Sequence, residues 1–157
     1  MSFDSSCRMA ILNGLMPMSE TYQAFTWIDS TMRADSALMA AATGGVWQEF
    51  ANIGTVPPFA LYARQGGSDN NTMNEVRLFV HILMRIQAIG PTANYAALAT
   101  IANRIDALFK NVRSVGLPGG GGVLACWRDS ELAYGNVING ASWSYLGGLY
   151  HIELQGS

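Results

Sequence analysis

The chain has 157 residues and a mass of 16.9 kDa, which is the size of a single domain. Apolar residues make up 50% of it, but charged residues only 13%, well below the ~25% that is usual in soluble domains. The net charge is −2, and Lys110 is the single lysine. Because low charge and apolar surface both favour association, we expect other copies of the chain or partner proteins to cover much of its surface. The alternative is an enzyme whose surface merely tends to associate.

The same composition excludes several classes of protein. Mean hydropathy is +0.17 and the net charge is low, so the chain is not intrinsically disordered. The nine basic residues are scattered, which argues against sequence-independent binding of nucleic acid. Residues 132–150 lack charge, but their Asn, Ser and Gly residues argue against a membrane span, and no signal peptide is expected. Cys7 and Cys126 are expected to be reduced thiols in a cytoplasm.

The first part of the chain predicts an arm followed by a helix. Residues 1–18 form a methionine-rich N-terminal arm, and residues 19–42 carry apolar side chains at helical spacing. Ser19 is a candidate N-cap, and the run Thr43-Gly44-Gly45 ends the helix. A stretch with glycines and prolines then leads to a short strand over residues 59–63, and the polar residues 66–71 are typical of a loop.

The clearest pattern in the chain is an alternation of period two over residues 75–86. It predicts a half-buried strand, with His81 on the outer face beside two large apolar residues, Phe79 and Leu83. The outer face is therefore either a second contact surface or is covered by a helix. The apolar residues that define the inner face of this strand are Val76, Leu78, Val80, Ile82, Met84 and Ile86.

The second half of the chain predicts one helix and two strands. A series of apolar residues at helical spacing runs from Leu98 to Val112 and predicts an amphipathic helix. Thr92 or Asn94 is its candidate N-cap. Residues 116–122 end this helix and connect it to strands over residues 123–129 and 149–155. The fold class is α+β in a single domain, residues 1–157 (arm 1–18, core 19–157). It comprises a mainly antiparallel sheet of about four strands with two main helices packed on one face.

The residues that could support chemistry do not form a recognisable motif. His81 and His151 lie on the alternate faces of predicted strands, and no local pattern joins His151 to Cys126 as a nucleophile pair. The four Cys and His residues have no metal-ligand spacing. Asp129 and Glu131 are expected to be solvated. We therefore predict no enzyme activity, no catalytic, cofactor-binding or metal-binding residues, and no cofactor.

Two further features have a structural interpretation. The glycine run at residues 119–122 follows a predicted helix and precedes a strand without a lysine, so it is a connector or interface loop rather than a phosphate loop. The tryptophans could form a base-stacking platform, but no basic residues are interleaved with them. Core and interface roles are therefore expected for Trp27, Trp47, Trp127 and Trp143.

The order of these elements resembles the tail terminator (tail completion) proteins of tailed bacteriophages. Relative to that family, the N-terminal arm is an addition and the helix-to-strand loop is unusually rich in glycine. The likeness covers about residues 20–155, and it is carried by four stretches: Arg33-Ala34-Asp35-Ser36-Ala37-Leu38 with Gly44-Gly45-Val46-Trp47; Pro57-Pro58-Phe59-Ala60-Leu61-Tyr62; Val76-Arg77-Leu78-Phe79-Val80-His81-Ile82 with Ile101-Ala102-Asn103-Arg104-Ile105-Asp106-Ala107-Leu108; and Arg128-Asp129-Ser130 with Tyr150-His151-Ile152-Glu153-Leu154.

The resemblance implies a virion protein of the tail or neck, made in the host cytoplasm. It implies a homomeric ring, commonly a hexamer, that stops growth of the tail tube and presents a surface to the head-completion or connector protein. DNA would pass through the ring without specific binding, and no membrane is involved. Residues 1–15, 66–74 and 116–122 are expected to contact other subunits or the tube. Another neck or head-completion ring, and a small cytoplasmic α+β enzyme or ligand-binding domain, remain as alternatives.

Overall fold

The computed structural model describes residues 19–71, 77–118 and 120–155; the arm at residues 1–18, with Cys7, lies outside these ranges. The described elements, numbered here in chain order, are α1 (Glu20–Ala34), α2 (Ser36–Ala41), β1 (Val46–Gln48), β2 (Phe59–Asn71), β3 (Arg77–Pro91), a short 3-10 helix (Thr92–Asn94), α3 (Tyr95–Phe109), β4 (Asn111–Gly116), β5 (Gly122–Ile138) and β6 (Ala141–Gln155).

The strands form a six-stranded sheet in the order β1-β2-β3-β6-β5-β4. Strand β1 is parallel to β2, and all other neighbours are antiparallel. The predicted α+β class is therefore confirmed, with six strands in place of about four. The extra strands are β1 and β4, which are short, and β2, β5 and β6 are longer than their sequence patterns predict.

The predicted helix over residues 19–42 is divided at Asp35. Ser19 caps α1 as expected, because its Oγ accepts the N–H of Tyr22 at 3.3 Å. Asp35 has an extended backbone with φ −86° and ψ 105°, which ends α1. Its carboxylate then accepts the N–H of Leu38 at 2.8 Å and so starts α2. An Asp whose side chain bonds the backbone competes with helix continuation, which is why one helical pattern becomes two helices.

The predicted loop at residues 66–71 is instead the second half of β2. Gly66 is aligned with Leu83 and Asn71 with Arg77, so the pairing with β3 overrides the local turn composition. Gly67 fits this position because a Cβ there would lie 2.6 Å from the carbonyl oxygen of His81. Strand β3 likewise continues beyond its predicted end at residue 86 and reaches Pro91.

The predicted second helix is shorter than its apolar pattern. It ends at Phe109, and Val112 lies in β4 instead. The glycine-rich residues 116–122 therefore connect two antiparallel strands rather than a helix to a strand. Asn94 precedes the first residue of α3 but makes no side-chain capping bond. A pattern of apolar residues every three or four positions also fits the inward face of a short strand, and this ambiguity explains the error.

The main core lies between the helices and one face of the sheet. Strand β3 contributes Val80, Ile82, Met84 and Ile86, as predicted, and β6 contributes Tyr150, Ile152 and Leu154. Leu78 was also expected inside but is 54% exposed, and Val76 lies outside the described residues. Trp27 packs edge-on against Phe109 at a centroid distance of 5.4 Å, which joins α1 to α3 within this core.

Candidate interaction surfaces

The second face of the sheet, here called the open face, is not covered by a helix in the described part of the chain. It carries a separate apolar cluster to which only strand and loop residues belong. An apolar sheet face without a helix is expected to meet another molecule. This cluster consists of Phe59, Leu61, Ala63 and Ile89, with Trp47, Ala51, Trp143 and Tyr145 packed against it.

A row of three aromatic side chains crosses the open face. The ring centroids of His81 and His151 are 4.5 Å apart, and Trp127 stacks on His151 at 5.2 Å. Nε2 of His151 lies 3.0 Å from Oδ1 of Asp129. The alternation of residues along the strands predicted that both histidines lie on outer faces, and both are on the open face. They come into contact because β3 and β6 are paired, and Trp127 joins them because β5 is paired with β6.

Three nitrogen atoms on the open face have unmet hydrogen-bonding capacity. Nε2 of His81, Nδ1 of His151 and Nε of Arg85 are shielded from solvent and have no partner within the described ranges. A buried polar atom without a partner costs about 1–3 kcal/mol, so such atoms are rare in a finished structure. The open face therefore combines apolar side chains with shielded nitrogen atoms that have no partner among the described residues.

Cys126 does not approach His151, although both lie on neighbouring strands. Cys126 is buried in the main core, on the helix side of the sheet, whereas His151 is on the open face. Burial raises the pKa of the Cys126 thiol to about 12, so it remains protonated and a poor nucleophile. Asp129 and Glu131 are both exposed, and within the described residues no three Cys, His, Asp or Glu side chains cluster as metal ligands.

Exposed apolar residues concentrate at one end of the sheet, here called the hairpin end. Phe59, the first residue of β2, is level with Tyr134 through the register of β3 and β6, so the last residues of the β1–β2 loop lie at the same end of the sheet as the β5–β6 turn. Exposure of several large apolar groups at one place marks a contact site. The exposed apolar residues of the hairpin end are Val56, Val137 and Ile138.

The tryptophans and the segments predicted to contact other subunits lie in different parts of the structure. Trp27 is a core residue, whereas Trp47, Trp127 and Trp143 lie on the open face. Residues 66–71 lie in the part of β2 beyond its pairing with β1, while residues 1–15, 72–74 and 119 are outside the described ranges. The hairpin end had no sequence signal, because Val137 and Ile138 are isolated apolar residues in a segment without periodicity.

Comparisons with known proteins concern the fold. No protein-family model matches the sequence, and no curated protein matches it. The structure is similar to a chain of the "Virion of native gene transfer agent (GTA) particle", with a TM-score of 0.61 and 15% sequence identity. The match covers 82% of this chain and 92% of that chain. None of the helices in the described ranges has the length and apolar character needed to cross a bilayer. At this identity, the likeness to the virion chain establishes a shared fold.

Proposed function

We propose that the chain is a structural protein of a phage-like virion and acts as a tail terminator. In this role it forms a homomeric ring, commonly a hexamer, at the head-proximal end of the tail tube. The ring stops tube growth and offers a joining surface to the head-completion or connector protein. The observation that carries the proposal is the shared fold with a chain of a virion particle over most of both chains.

The surfaces of the chain support this role. A ring subunit needs two different surfaces that meet head to tail, plus contacts along the ring axis. The open face and the hairpin end are distinct apolar surfaces on one small subunit. Aromatic residues with few charges are typical of interface cores. The mild negative charge of the chain also suits a channel through which DNA passes without being held by basic side chains.

The cleft in which titratable groups gather is too small for a typical ligand, whereas a larger and more apolar groove of about 440 Å³ lies between α1 and residues 115–118. Tyr150, Asp106, Arg128 and Glu131 bring titratable groups together around one cleft. Its volume is about 110 Å³, below the roughly 300–1,000 Å³ of typical ligand pockets. Within it, Asp106 is held by Arg128 at 3.1 Å and by Lys110 at 3.6 Å, so its carboxylate serves the packing of α3 against β5.

Removal of the gene from the genome that encodes the particle tests the proposal. Electron microscopy of the lysate should then show free heads and tails of uncontrolled length, because nothing stops the tube. Tails of normal length without heads would assign the chain to another neck ring. Particles of normal form would contradict any structural role. For the purified chain, light scattering should give a mass near six times 16.9 kDa in the ring state.

A pair of matched variants tests the role of the hairpin end. Val137→Asp places a charge on its exposed apolar surface and should block joining while the circular dichroism spectrum and melting temperature stay unchanged. Leu78→Asp is the control, since Leu78 is similarly exposed on β3, toward the opposite end of the sheet. Equal particle yields from the two variants would contradict a special role for the hairpin end.

A further inference from the structure

Strand β5 has a long edge without a strand partner in the described part of the chain. Strand β4 pairs with β5 only as far as Trp127, which is aligned with Asn111. From Arg128 to Ile138 the strand continues with β6 on one side and no described strand on the other. An unpaired edge presents a row of backbone N–H and C=O groups to solvent and is a template for an added strand.

The usual devices that protect an edge are missing from the distal half of β5. Residues 132–138 contain no proline, no lysine and no charged side chain of any kind. Natural edges are commonly blocked by such residues, and an unblocked apolar edge is prone to pairing. Tyr134, Val137 and Ile138 are exposed beside it. The sequence of this edge therefore permits strand addition.

The turn of the β5–β6 hairpin fixes which backbone groups are available. Asn139 and Gly140 have φ values of 50° and 79° and join the aligned pair Ile138 and Ala141, as in a two-residue turn of type I′. In such a hairpin the pair next to the turn exchanges hydrogen bonds, and every second residue faces the other way. Outward backbone groups therefore belong to Ala133, Gly135 and Val137.

One hydrogen bond agrees with this assignment. The N–H of Val137 is bonded to Oδ1 of the neighbouring Asn136 side chain at 2.8 Å, and not to β6. A local side-chain acceptor of this kind occupies an edge N–H until a strand replaces it.

The opposite side of the same sheet also has a stretch without a described strand partner. Strand β1 pairs with β2 only at Ala60, Leu61 and Tyr62, so no described strand lies beside residues 63–71. The guanidinium of Arg64 has two local partners, since Nη1 donates to the Thr21 hydroxyl at 2.8 Å and Nε donates to the carbonyl oxygen of Gly66 at 3.2 Å. A Cβ added at Gly66 would meet no atom within 4 Å, so the space beside this residue is open.

We propose that the outer edge of β5, residues 130–138, is a strand-addition site that is filled by the outer edge of β2, residues 63–71, from a second copy of the chain. This inference rests on the proposed ring. Strands β2 and β5 run in opposite directions within the sheet, so a neighbouring copy whose sheet continues this one presents its β2 antiparallel to β5. Two different edges that meet in this way repeat head to tail.

The register of the sheet adds a geometric condition. Ser130 is aligned with Leu149, Leu149 with Arg85, and Arg85 with Ala63, so Ser130 and Ala63 lie at the same height in the sheet. From this height the free edge of β5 extends toward one end of the sheet and the free edge of β2 toward the other. Their pairing therefore requires a stagger between neighbouring copies. Strands that are tilted in a closed ring have such a stagger from one copy to the next.

Cysteine cross-linking in purified particles tests the pairing. Ala133 and Asp69 both lie on the helix side of the sheet, since they are aligned with Leu146 and Val80. In a Cys7→Ser background, with Cys126 left buried, a chain with Ala133→Cys and Asp69→Cys should give an oxidant-dependent ladder of oligomers up to the closed ring. A panel with Glu131→Cys or Gly135→Cys in place of Ala133→Cys covers neighbouring registers. Each single variant should give no ladder. A dimer from Ala133→Cys alone would show β5 pairing with itself and would overturn the proposal.

A proline substitution separates the edge from the hairpin. Ala133→Pro removes an outward N–H and keeps the bonds to β6, so it should lower association by about tenfold or more, with Ala133→Ser as the control. Normal assembly by the proline variant would overturn the strand pairing. Detection of the chain in particles without any ladder would also overturn it, while the virion role stands. Absence of the chain from particles would overturn both.

Discussion

The guanidinium of Arg104 and the carboxylate of Asp35 form an ion pair that joins α3 to the junction between α1 and α2. Nε of Arg104 lies 2.9 Å and 3.0 Å from the two carboxylate oxygens, and Nη2 donates to Oδ2 as well. The same carboxylate accepts the N–H of Leu38. One side chain thus ends α1, starts α2 and fixes both against a helix that is 69 residues away.

Replacement of Asp35 separates its capping role from its ion pair. Asp35→Ala removes both and should lower the melting temperature by about 2–6 °C, because loss of an N-cap costs about 0.5–2 kcal/mol. Asp35→Asn keeps an equally good cap and should lose less. Thermal unfolding followed by circular dichroism measures both variants at pH 7. Equal losses in the two variants would show that the charge, and not the cap, holds the junction.

The pH dependence of stability follows from the same pair. Hydrogen bonding to Arg104 lowers the pKa of Asp35 below its ordinary value of 3.8. The unfolded chain therefore binds the proton first, so the stabilisation is complete above about pH 5 and is lost as pH falls through the lowered native pKa. The difference in melting temperature between wild type and Asp35→Asn should close in acid. A difference that is constant down to pH 2 would contradict this interpretation of the pair.

The sequence predicts those parts of the fold that depend on local pattern. The alternation around Ile82 and the cap at Ser19 are both found, because each needs only neighbours along the chain. The errors occur where distant partners decide. Asp35 interrupts a helical pattern with Arg104 as its partner, and Gly66 lies in a strand because β3 pairs with it. Val112 lies in β4 because the backbone of β5 pairs with this segment, with Val112 aligned with Cys126.

The interaction surfaces were partly predictable in the same sense. The alternation of apolar and polar residues predicted that His81 and His151 lie on outer faces of their strands. The low content of charged residues predicted a surface that is covered by other molecules. The sequence could not show that β3, β6 and β5 are neighbours, so the contact between the two imidazoles had no signal. The free edge of β5 was also hidden, since it depends on β4 ending at the level of Trp127.

Gly147 marks the tightest approach of β6 to β3. A Cβ at this position would lie 2.1 Å from the carbonyl oxygen of Ile86 and 2.5 Å from Cα of Gln87, so the backbones must separate to admit it. Gly147→Ala should lower the free energy of unfolding by about 1–3 kcal/mol. Urea unfolding measures this change. The control is Gly66→Ala, which has open space and should stay within about 0.5 kcal/mol of wild type.

Cys126 should be inert to thiol reagents while the chain is folded. It is 1% exposed, and burial raises its pKa to about 12, so neither access nor thiolate is available near neutral pH. In a Cys7→Ser background, a chromogenic disulfide reagent at pH 8 should give no signal until denaturant is added. A prompt reaction of one thiol per chain would show that the core opens around β5. Addition of Gly135→Cys supplies an exposed thiol as the positive control.

Tyr134 links the β5–β6 hairpin to the centre of the sheet. Its hydroxyl donates to Oε1 of Gln87 at 3.2 Å, and its ring stacks on Tyr145 at a centroid distance of 4.7 Å with an interplanar angle of 5°. Gln87 is only 2% exposed, so Tyr134→Phe leaves a buried acceptor unpaired and should cost about 1–3 kcal/mol in urea unfolding. Tyr145→Phe keeps both the stacked rings and this hydrogen bond, and should cost clearly less. If the two variants unfold at the same urea concentration, the Gln87 contact does not hold the hairpin, and the stacking alone orients it.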